Sequence, residues 1–161
     1  MASTALARIV IAPGTAGDCA EIEDMSADAF DPAFREAWTA SQLRQVLDAP
    51  GGWVIVARGE ADRIAGFALS RMVGDEAELL LCAAASGLRR RGVARRLVEA
   101  ALVSARARGA ERMFLEVRES NHPARALYEA CGFSQVGVRP GYYTRVTGER
   151  FAALTMSRRL P

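Results

Sequence analysis

The sequence predicts a single α/β domain built on a mixed β-sheet with helices on both faces. In the middle of the chain, apolar runs of strand length alternate with segments of helical periodicity, in the order strand, helix, strand, helix, strand. Segments typical of antiparallel hairpins precede and follow this part. With 161 residues, half of them hydrophobic and a quarter charged, the chain can bury one core. We therefore expect one domain over residues 1–161.

The first third of the chain is predicted to contain two helices between strands. A strand over residues 6–12 ends at a Pro-Gly pair, and a helical pattern over 15–30 is interrupted by Asp31-Pro32. A second helix over 41–47 is stopped by Pro50-Gly51-Gly52. Strands over 53–57 and 64–69 then form a hairpin.

The remaining elements follow the same signals of periodicity and termination. A strand over 77–84 is followed by a helix over 92–108, which ends at Gly109, a residue typical of helix C-termini. The last elements are predicted as a strand over 112–118, a helix over 123–131, and strands near 133–139 and 151–157.

The composition excludes several classes of function. The net charge is +2, so no overall field favours nucleic acid, and the absence of lysine excludes Schiff-base chemistry. Three cysteines and one histidine lack the close spacings of zinc sites, so we expect no metal. The odd cysteine count is typical of a reducing compartment, and no run is of membrane-spanning length. We expect a cytoplasmic protein that binds neither membrane nor nucleic acid.

An arginine-rich turn lies between a predicted strand and a predicted helix. It reads Arg89-Arg90-Arg91-Gly92-Val93-Ala94-Arg95, and the apolar positions after it have helical spacing. Free N–H groups at a helix start and the helix dipole favour anions, and the small residues 92 and 94 allow close approach of a ligand. The turn is thus a candidate pyrophosphate site. A solvated helix start and a nucleic-acid patch are the alternatives.

Two side chains are candidates for proton transfer. Glu116 lies in an apolar strand, on the face opposite Leu115 and Val117, and a carboxylate there would need a partner or a raised pKa, which suits a general base. An ion pair with Arg118, or a place at the surface, would be the structural alternative. Tyr128 lies on the apolar stripe of the helix that follows, either as a core residue or as a proton donor to a leaving group.

Two adjacent aromatic residues, Tyr142 and Tyr143, are expected in a loop between the last two strands. In that position they would either contact a substrate or pack against the domain. Asn121 precedes the helix of Tyr128 and is a typical N-cap residue.

Taken together, these segments resemble the GCN5-related N-acetyltransferase superfamily. The matching segments are the turn at 89–94, the strand and cap at 114–121, the helix at 124–133 and the aromatic segment at 139–143. Within the superfamily they are most similar to the RimI type, which acetylates the N-terminal alanine of a ribosomal protein. The resemblance is strong from about residue 76 to 156 and weak before it.

The resemblance implies a mixed sheet with splayed middle strands, acetyl-CoA as co-substrate, and a set of residue roles. Backbone groups of Cys82, Ala83 and Ala84 would pair with pantetheine, amides of the arginine-rich turn would bind the pyrophosphate, and Asn121 would contact the cofactor arm. Glu116 would accept a proton from the amine, and Tyr128 would protonate the departing thiolate, without a cysteine intermediate.

Three functions are compatible with this resemblance. The first is acetylation of a protein N-terminus, the second is acetylation of a small-molecule amine or antibiotic, and the third is a non-catalytic acyl-CoA sensor. The presence of both Glu116 and Tyr128 favours an enzyme over a sensor. The sequence departs from the family near the acceptor side, at Leu81, Ala84, Ser86 and Phe151.

Overall fold

A computed structural model describes residues 8–88 and 91–161, and it confirms the mixed α/β fold. Within these ranges, seven strands form one sheet in the order β1-β2-β3-β4-β5-β7-β6. The strands are β1 (Val10–Pro13), β2 (Gly52–Arg58), β3 (Ile64–Val73), β4 (Glu76–Ala84), β5 (Arg112–Arg118), β6 (Ser134–Thr144) and β7 (Arg150–Arg159). The α-helices are α1 (Cys19–Ala29), α2 (Ala40–Asp48), α3 (Val93–Ala107) and α4 (His122–Ala130). Strands β4 and β5 are parallel, and the other neighbouring pairs are antiparallel.

The sheet divides the core into two apolar layers. On one face, α3 buries a stripe of six residues with a spacing of three or four, namely Val93, Leu97, Val98, Ala101, Leu102 and Ala105. They pack with α4 against strand residues such as Ile55 and Leu115. On the other face, α1 and α2 contribute Ile22 and Leu43, which pack with Phe67. Because helices cover both faces of the sheet, the central strands carry apolar side chains on each face.

The N-terminal elements differ slightly from the predicted ones. Strand β1 begins at Val10, and residues 6 and 7 of the predicted strand lie outside the described residues. The helix predicted over 15–30 is divided into a short 3₁₀ turn, Ala16–Asp18, and α1. At their junction, the Asp18 carboxylate accepts the N–H of Thr15 at 2.8 Å and a bond from Arg58 at 2.7 Å.

The prediction that Tyr142 and Tyr143 lie in a loop is wrong, because both belong to the edge strand β6. The ladder with β7 is interrupted between Arg139 and Tyr143 and resumes where Tyr143 pairs with Phe151. Pro140 has no N–H to donate there, and Gly141 has a φ of +64°. Proline and glycine are tolerated at such an irregularity on an edge strand, so the strand continues past a signal that normally indicates a turn.

No helix in the described ranges is long and apolar enough to span a membrane.

We expect Leu97→Ala to lower the free energy of unfolding by about 2–5 kcal/mol, the usual cost of a cavity at a fully buried leucine. Its side chain fills the space beside Gly66, where a Cβ would come within 2.9 Å of Leu97 Cδ1. Urea unfolding measures the change. The matched control is Val103→Ala on the same helix, where the side chain is 70% exposed and the loss should be below about 0.5 kcal/mol. Equal losses for the two variants would contradict the assigned core.

Candidate active site

A cleft opens where the two parallel strands separate. The pairing of β4 with β5 ends at Leu79 and Leu115, although the strands continue to Ala84 and Arg118. At the same point, the pairing of β4 with β3 has an irregularity that skips Leu80. Beyond it, β4 is paired in the described sheet on its β3 side only. Backbone groups that face a gap in a sheet can bind an extended ligand as an added strand.

The cleft has a volume of about 490 Å³ and brings together distant parts of the chain. Its walls come from β4, β5, α4, β6 and the connection between α1 and α2. Among its lining residues are six that the sequence analysis selected, namely Cys82, Glu116, Asn121, Tyr128, Tyr142 and Tyr143. The other predicted contacts on β4, Ala83 and Ala84, follow Cys82 in the same unpaired stretch.

Glu116 faces the cleft because strand side chains alternate. Its neighbours Leu115 and Val117 belong to the buried layer under α3, which directs Glu116 to the opposite face. The carboxylate differs from the buried group that we expected, since the side chain is 24% exposed. Its Oε1 lies 3.3 Å from Nε of Arg139, so the partner is an arginine of β6 and not Arg118. Glu116 is therefore accessible from the cleft and ion-paired at its outer side.

Tyr128 is buried on the inner face of α4 and also lines the cleft. Its ring lies edge-to-face on Phe133, with the centroids 6.0 Å apart. Burial raises the pKa of the phenol well above its ordinary value, and the nearby Cys82 and Tyr143 raise it further. Tyr128 therefore remains protonated over the whole range of physiological pH. Asn121 begins this helix, and its side-chain oxygen accepts the N–H of Ala124 at 3.3 Å.

Tyr142 and Tyr143 pack edge-to-face on each other at the mouth of the cleft, with ring centroids 5.1 Å apart. Tyr142 is half-exposed. Burial, together with the nearby Glu36 and Glu116 carboxylates, raises the pKa of Tyr143 to about 12. A tyrosine placed beside two carboxylates remains an uncharged hydrogen-bonding group.

Another wall, next to the β6–β7 hairpin, is formed by the connection between α1 and α2, where the oxygen of Ala33 accepts the N–H of Val146 at 3.0 Å. The sequence analysis selected no residue of this segment. Glu36 of this segment forms an ion pair with Arg118, whose side chain is only 9% exposed. The guanidinium also lies 3.5 Å over the ring of Phe34, which packs on Phe151. Burial raises the pKa of Glu36, and the nearby Arg118 opposes that shift. In the sequence, Asp31-Pro32 indicated only the end of a helix. The contact between Glu36 and Arg118 was not predicted, because these residues are 82 positions apart and no local pattern connects them.

The candidate pyrophosphate site lies at the start of α3, after the turn Ser86–Leu88 that follows β4. Arg89 and Arg90 lie outside the described residues. Gly92 is the N-cap and has a left-handed conformation, with a φ of +76°, which explains the glycine at this position. The intrahelical bonds begin with Arg96, whose N–H bonds the oxygen of Gly92. The amides of Val93, Ala94 and Arg95 therefore belong to the helix turn that has no intrahelical acceptors.

The Glu36–Arg118 pair is expected to determine the stability of this wall. We expect Arg118→Met to lower the free energy of unfolding by about 3 kcal/mol, because it leaves a half-buried carboxylate without its cation. Adding Glu36→Met should recover a large part of that loss, since the double variant removes both charges. Urea unfolding of the two single variants and the double variant measures the coupling. Strictly additive losses would contradict a direct pair.

The chain was compared with known proteins by sequence and by structure. The model of the Acetyltransferase (GNAT) family matches residues 7–133. The [ribosomal protein bS18]-alanine N-acetyltransferase of Salmonella typhimurium is 40% identical over 93 residues, which are 58% of this chain and 63% of that protein. The alignment thus spans less than two thirds of this relative's length.

Two solved structures extend the likeness over nearly the whole chain. The crystal structure of the ribosomal-protein-S18-alanine N-acetyltransferase from Escherichia coli has a TM-score of 0.84 at 27% identity, covering 95% of this chain and 94% of that one. The crystal structure of nourseothricin acetyltransferase has a TM-score of 0.74 at 26% identity, covering 95% and 99%. The splayed sheet, the cleft and the sequence match agree, and the chain belongs to the GNAT acetyltransferase family.

Proposed function

We propose that this protein is an acetyl-CoA-dependent N-acetyltransferase that modifies the N-terminal α-amine of a ribosomal protein, with alanine as the first residue. The observation that carries the proposal is that a carboxylate, Glu116, and a protonated phenol, Tyr128, line the same cleft, next to backbone of β4 that is unpaired on its β5 side. A similarity to alanine N-acetyltransferases of ribosomal proteins supports the acceptor. Such an acceptor would place the protein in the cytoplasm, with no need to bind a membrane or nucleic acid directly.

The residues around the cleft fit acetyl-CoA, which supplies a thioester as acetyl donor. Backbone groups of Cys82, Ala83 and Ala84 face the gap left by β5 and would pair with the extended pantetheine arm. The pyrophosphate would be bound by the amides of Val93, Ala94 and Arg95 at the helix start, together with the preceding arginines Arg89, Arg90 and Arg91. Asn121 and Tyr128 would contact the arm near the thioester.

Glu116 and Tyr128 would handle the protons of the transfer. Glu116 takes a proton from the incoming ammonium, directly or through water, so that the neutral amine can attack the thioester carbonyl. The new C–N bond forms as the C–S bond breaks, and Tyr128 donates its proton to the departing sulfur. Burial raises the pKa of the Cys82 thiol to about 12, so that this residue remains a thiol and is not a nucleophile. This supports direct transfer without an acyl-cysteine.

A small-molecule amine is the alternative acceptor. The likeness to nourseothricin acetyltransferase, at 26% identity over nearly the whole chain, favours this possibility, because the fold does not determine the substrate. The two functions are distinguished by incubation with acetyl-CoA and three acceptors: a peptide that begins with alanine, the same peptide with a blocked α-amine, and a panel of polyamines and aminoglycosides. Modification of the free peptide alone is expected, whereas activity confined to small amines would contradict the proposal.

We expect Glu116→Gln to lower kcat by roughly 100-fold or more, because the amide cannot accept the ammonium proton. The dissociation constant for acetyl-CoA, measured by calorimetry, should change less than about twofold. Glu129→Gln makes the same chemical change on the exposed side of α4 and should leave both values unaltered. An unchanged kcat in Glu116→Gln would remove the proposed role of this residue.

We expect Tyr128→Phe to lower kcat by roughly tenfold to 100-fold, because the departing thiolate loses its proton donor. Since burial raises the pKa of Tyr128, its ionisation should produce no fall in the wild-type rate up to about pH 10. The pH profile of kcat measures this. A decline in kcat near pH 9 in the wild type that is absent from Tyr128→Phe would show that Tyr128 ionises earlier than the structure indicates.

A further inference from the structure

A second groove continues the cleft beyond Glu116. It has a volume of about 240 Å³, and its walls include Val73, Phe114, Arg139 and Thr155. Glu78 and Glu116 line both the cleft and this groove. Glu116 therefore lies at the boundary between them, and Arg139 lies on the groove side. A bound substrate that extends from the cleft into the groove therefore passes the guanidinium of Arg139.

Arg139 is held less firmly than Arg71 and Arg118, the two other ion-paired arginines that line the cleft or its continuation. Arg71 makes two bonds to one oxygen of Glu78, at 2.9 and 3.2 Å. Arg118 is buried and bonds both Glu36 and Ser120. In the described part of the chain, Arg139 makes one ion-pair contact, the one to Glu116, and its side chain is 60% exposed.

The position of Arg139 in the chain also favours movement. It lies at the interruption of the ladder between β6 and β7, and its guanidinium lies 5.3 Å from the ring centroid of Tyr142. An exposed pair with a single contact is weak, so an ammonium that reaches Glu116 can take the place of the arginine nitrogen at the carboxylate. The displaced guanidinium keeps its five N–H donors and has no proton to give up.

We propose that Arg139 is a specificity residue that selects α-amines, by donating to the first backbone carbonyl of the acceptor while Glu116 receives the amine. Glu116 and Arg139 present an acceptor and a donor 3.3 Å apart. In an N-terminal residue, the amine nitrogen and the carbonyl oxygen are about 3 Å apart, with the opposite polarity. An alkyl or side-chain amine has the nitrogen but no such carbonyl. This inference rests on the proposed function.

The proposal also accounts for the groove. A polypeptide whose amine lies at Glu116 and whose first carbonyl lies at Arg139 continues on the far side of that boundary, where the groove begins. A small amine would leave the groove empty. The acceptor favoured by this arrangement is therefore a chain terminus and not a compact molecule.

The test uses two acceptors and two variants of the full-length protein, with saturating acetyl-CoA. One acceptor is a peptide that begins with alanine, and the other is its alkene isostere, in which a carbon–carbon double bond replaces the first peptide bond and removes the carbonyl oxygen. Arg139→Gln removes the charged donor. The control is Arg159→Gln, which removes an exposed arginine of β7. The backbone of Arg159 is in register with that of Arg112, at the end of β5 that is remote from Arg118.

We expect Arg139→Gln to lower kcat/KM for the natural peptide by roughly tenfold or more, the usual cost of losing a charged hydrogen bond. For the isostere, which the wild type should already use about tenfold less well, the variant should change kcat/KM less than about twofold. Equal losses on both acceptors would show that Arg139 acts only on Glu116, and no loss on either would show no role; both results overturn the proposal. A wild-type protein that acetylates small amines but not the peptide would instead refute the proposed function, and this inference with it.

Discussion

The separation of β4 from β5 is the constraint on which the rest of the site depends. These two strands form the parallel pair of the sheet, and they are hydrogen-bonded over only four positions, from Glu76 and Arg112 to Leu79 and Leu115. Beyond that point each strand remains supported on its other side, β4 by β3 and β5 by β7. The gap can therefore stay open without unfolding either strand. It leaves unpaired backbone on β4 and the side chain of Glu116 on β5 in the same cleft.

Three ion pairs surround this gap, and their different burial suits different roles. Arg118 is buried and its partner Glu36 is partly buried; the pair connects β5 to the segment between α1 and α2 and so stabilises a wall of the cleft. Arg71 and Glu78 are half-exposed partners on adjacent strands, and they hold the edge between cleft and groove. In the third pair, Arg139 with Glu116, the arginine side chain is more exposed than in the other two. An arginine–glutamate ion pair thus stabilises the wall at Arg118 and Glu36, whereas a pair of the same kind at Arg139 leaves the Glu116 carboxylate accessible.

Local periodicity predicted the parts of the site that lie on regular elements. The stripe of α3, the bounds of β5 and the inward face of α4 agree with the structure, because a helix or strand carries its own pattern. Glu116 and Tyr128 were selected as candidates because each is a polar group at a position where that pattern favours an apolar one, and both line the cleft. The pair between Glu36 and Arg118 was missed because it joins distant segments of the chain. The prediction of a loop at Tyr142 and Tyr143 failed because an edge strand accommodates an irregularity, here at Pro140 and Gly141, that a central strand would not.

The family model and the candidate acceptor residues of β6 occupy different parts of the chain. The family model covers residues 7–133. This range includes β4 and the start of α3, which would bind acetyl-CoA, and Glu116 and Tyr128, which would transfer the protons of the reaction. Arg139, Tyr142 and Tyr143 lie beyond residue 133, on a strand paired with β7 alone and exposed along most of its length. An edge strand can change its side chains without disturbing the core, so this is where one fold can acquire different acceptors. What distinguishes a peptide terminus from a small amine should therefore be sought on β6, next to the carboxylate of Glu116, and not in the geometry of the splayed strands.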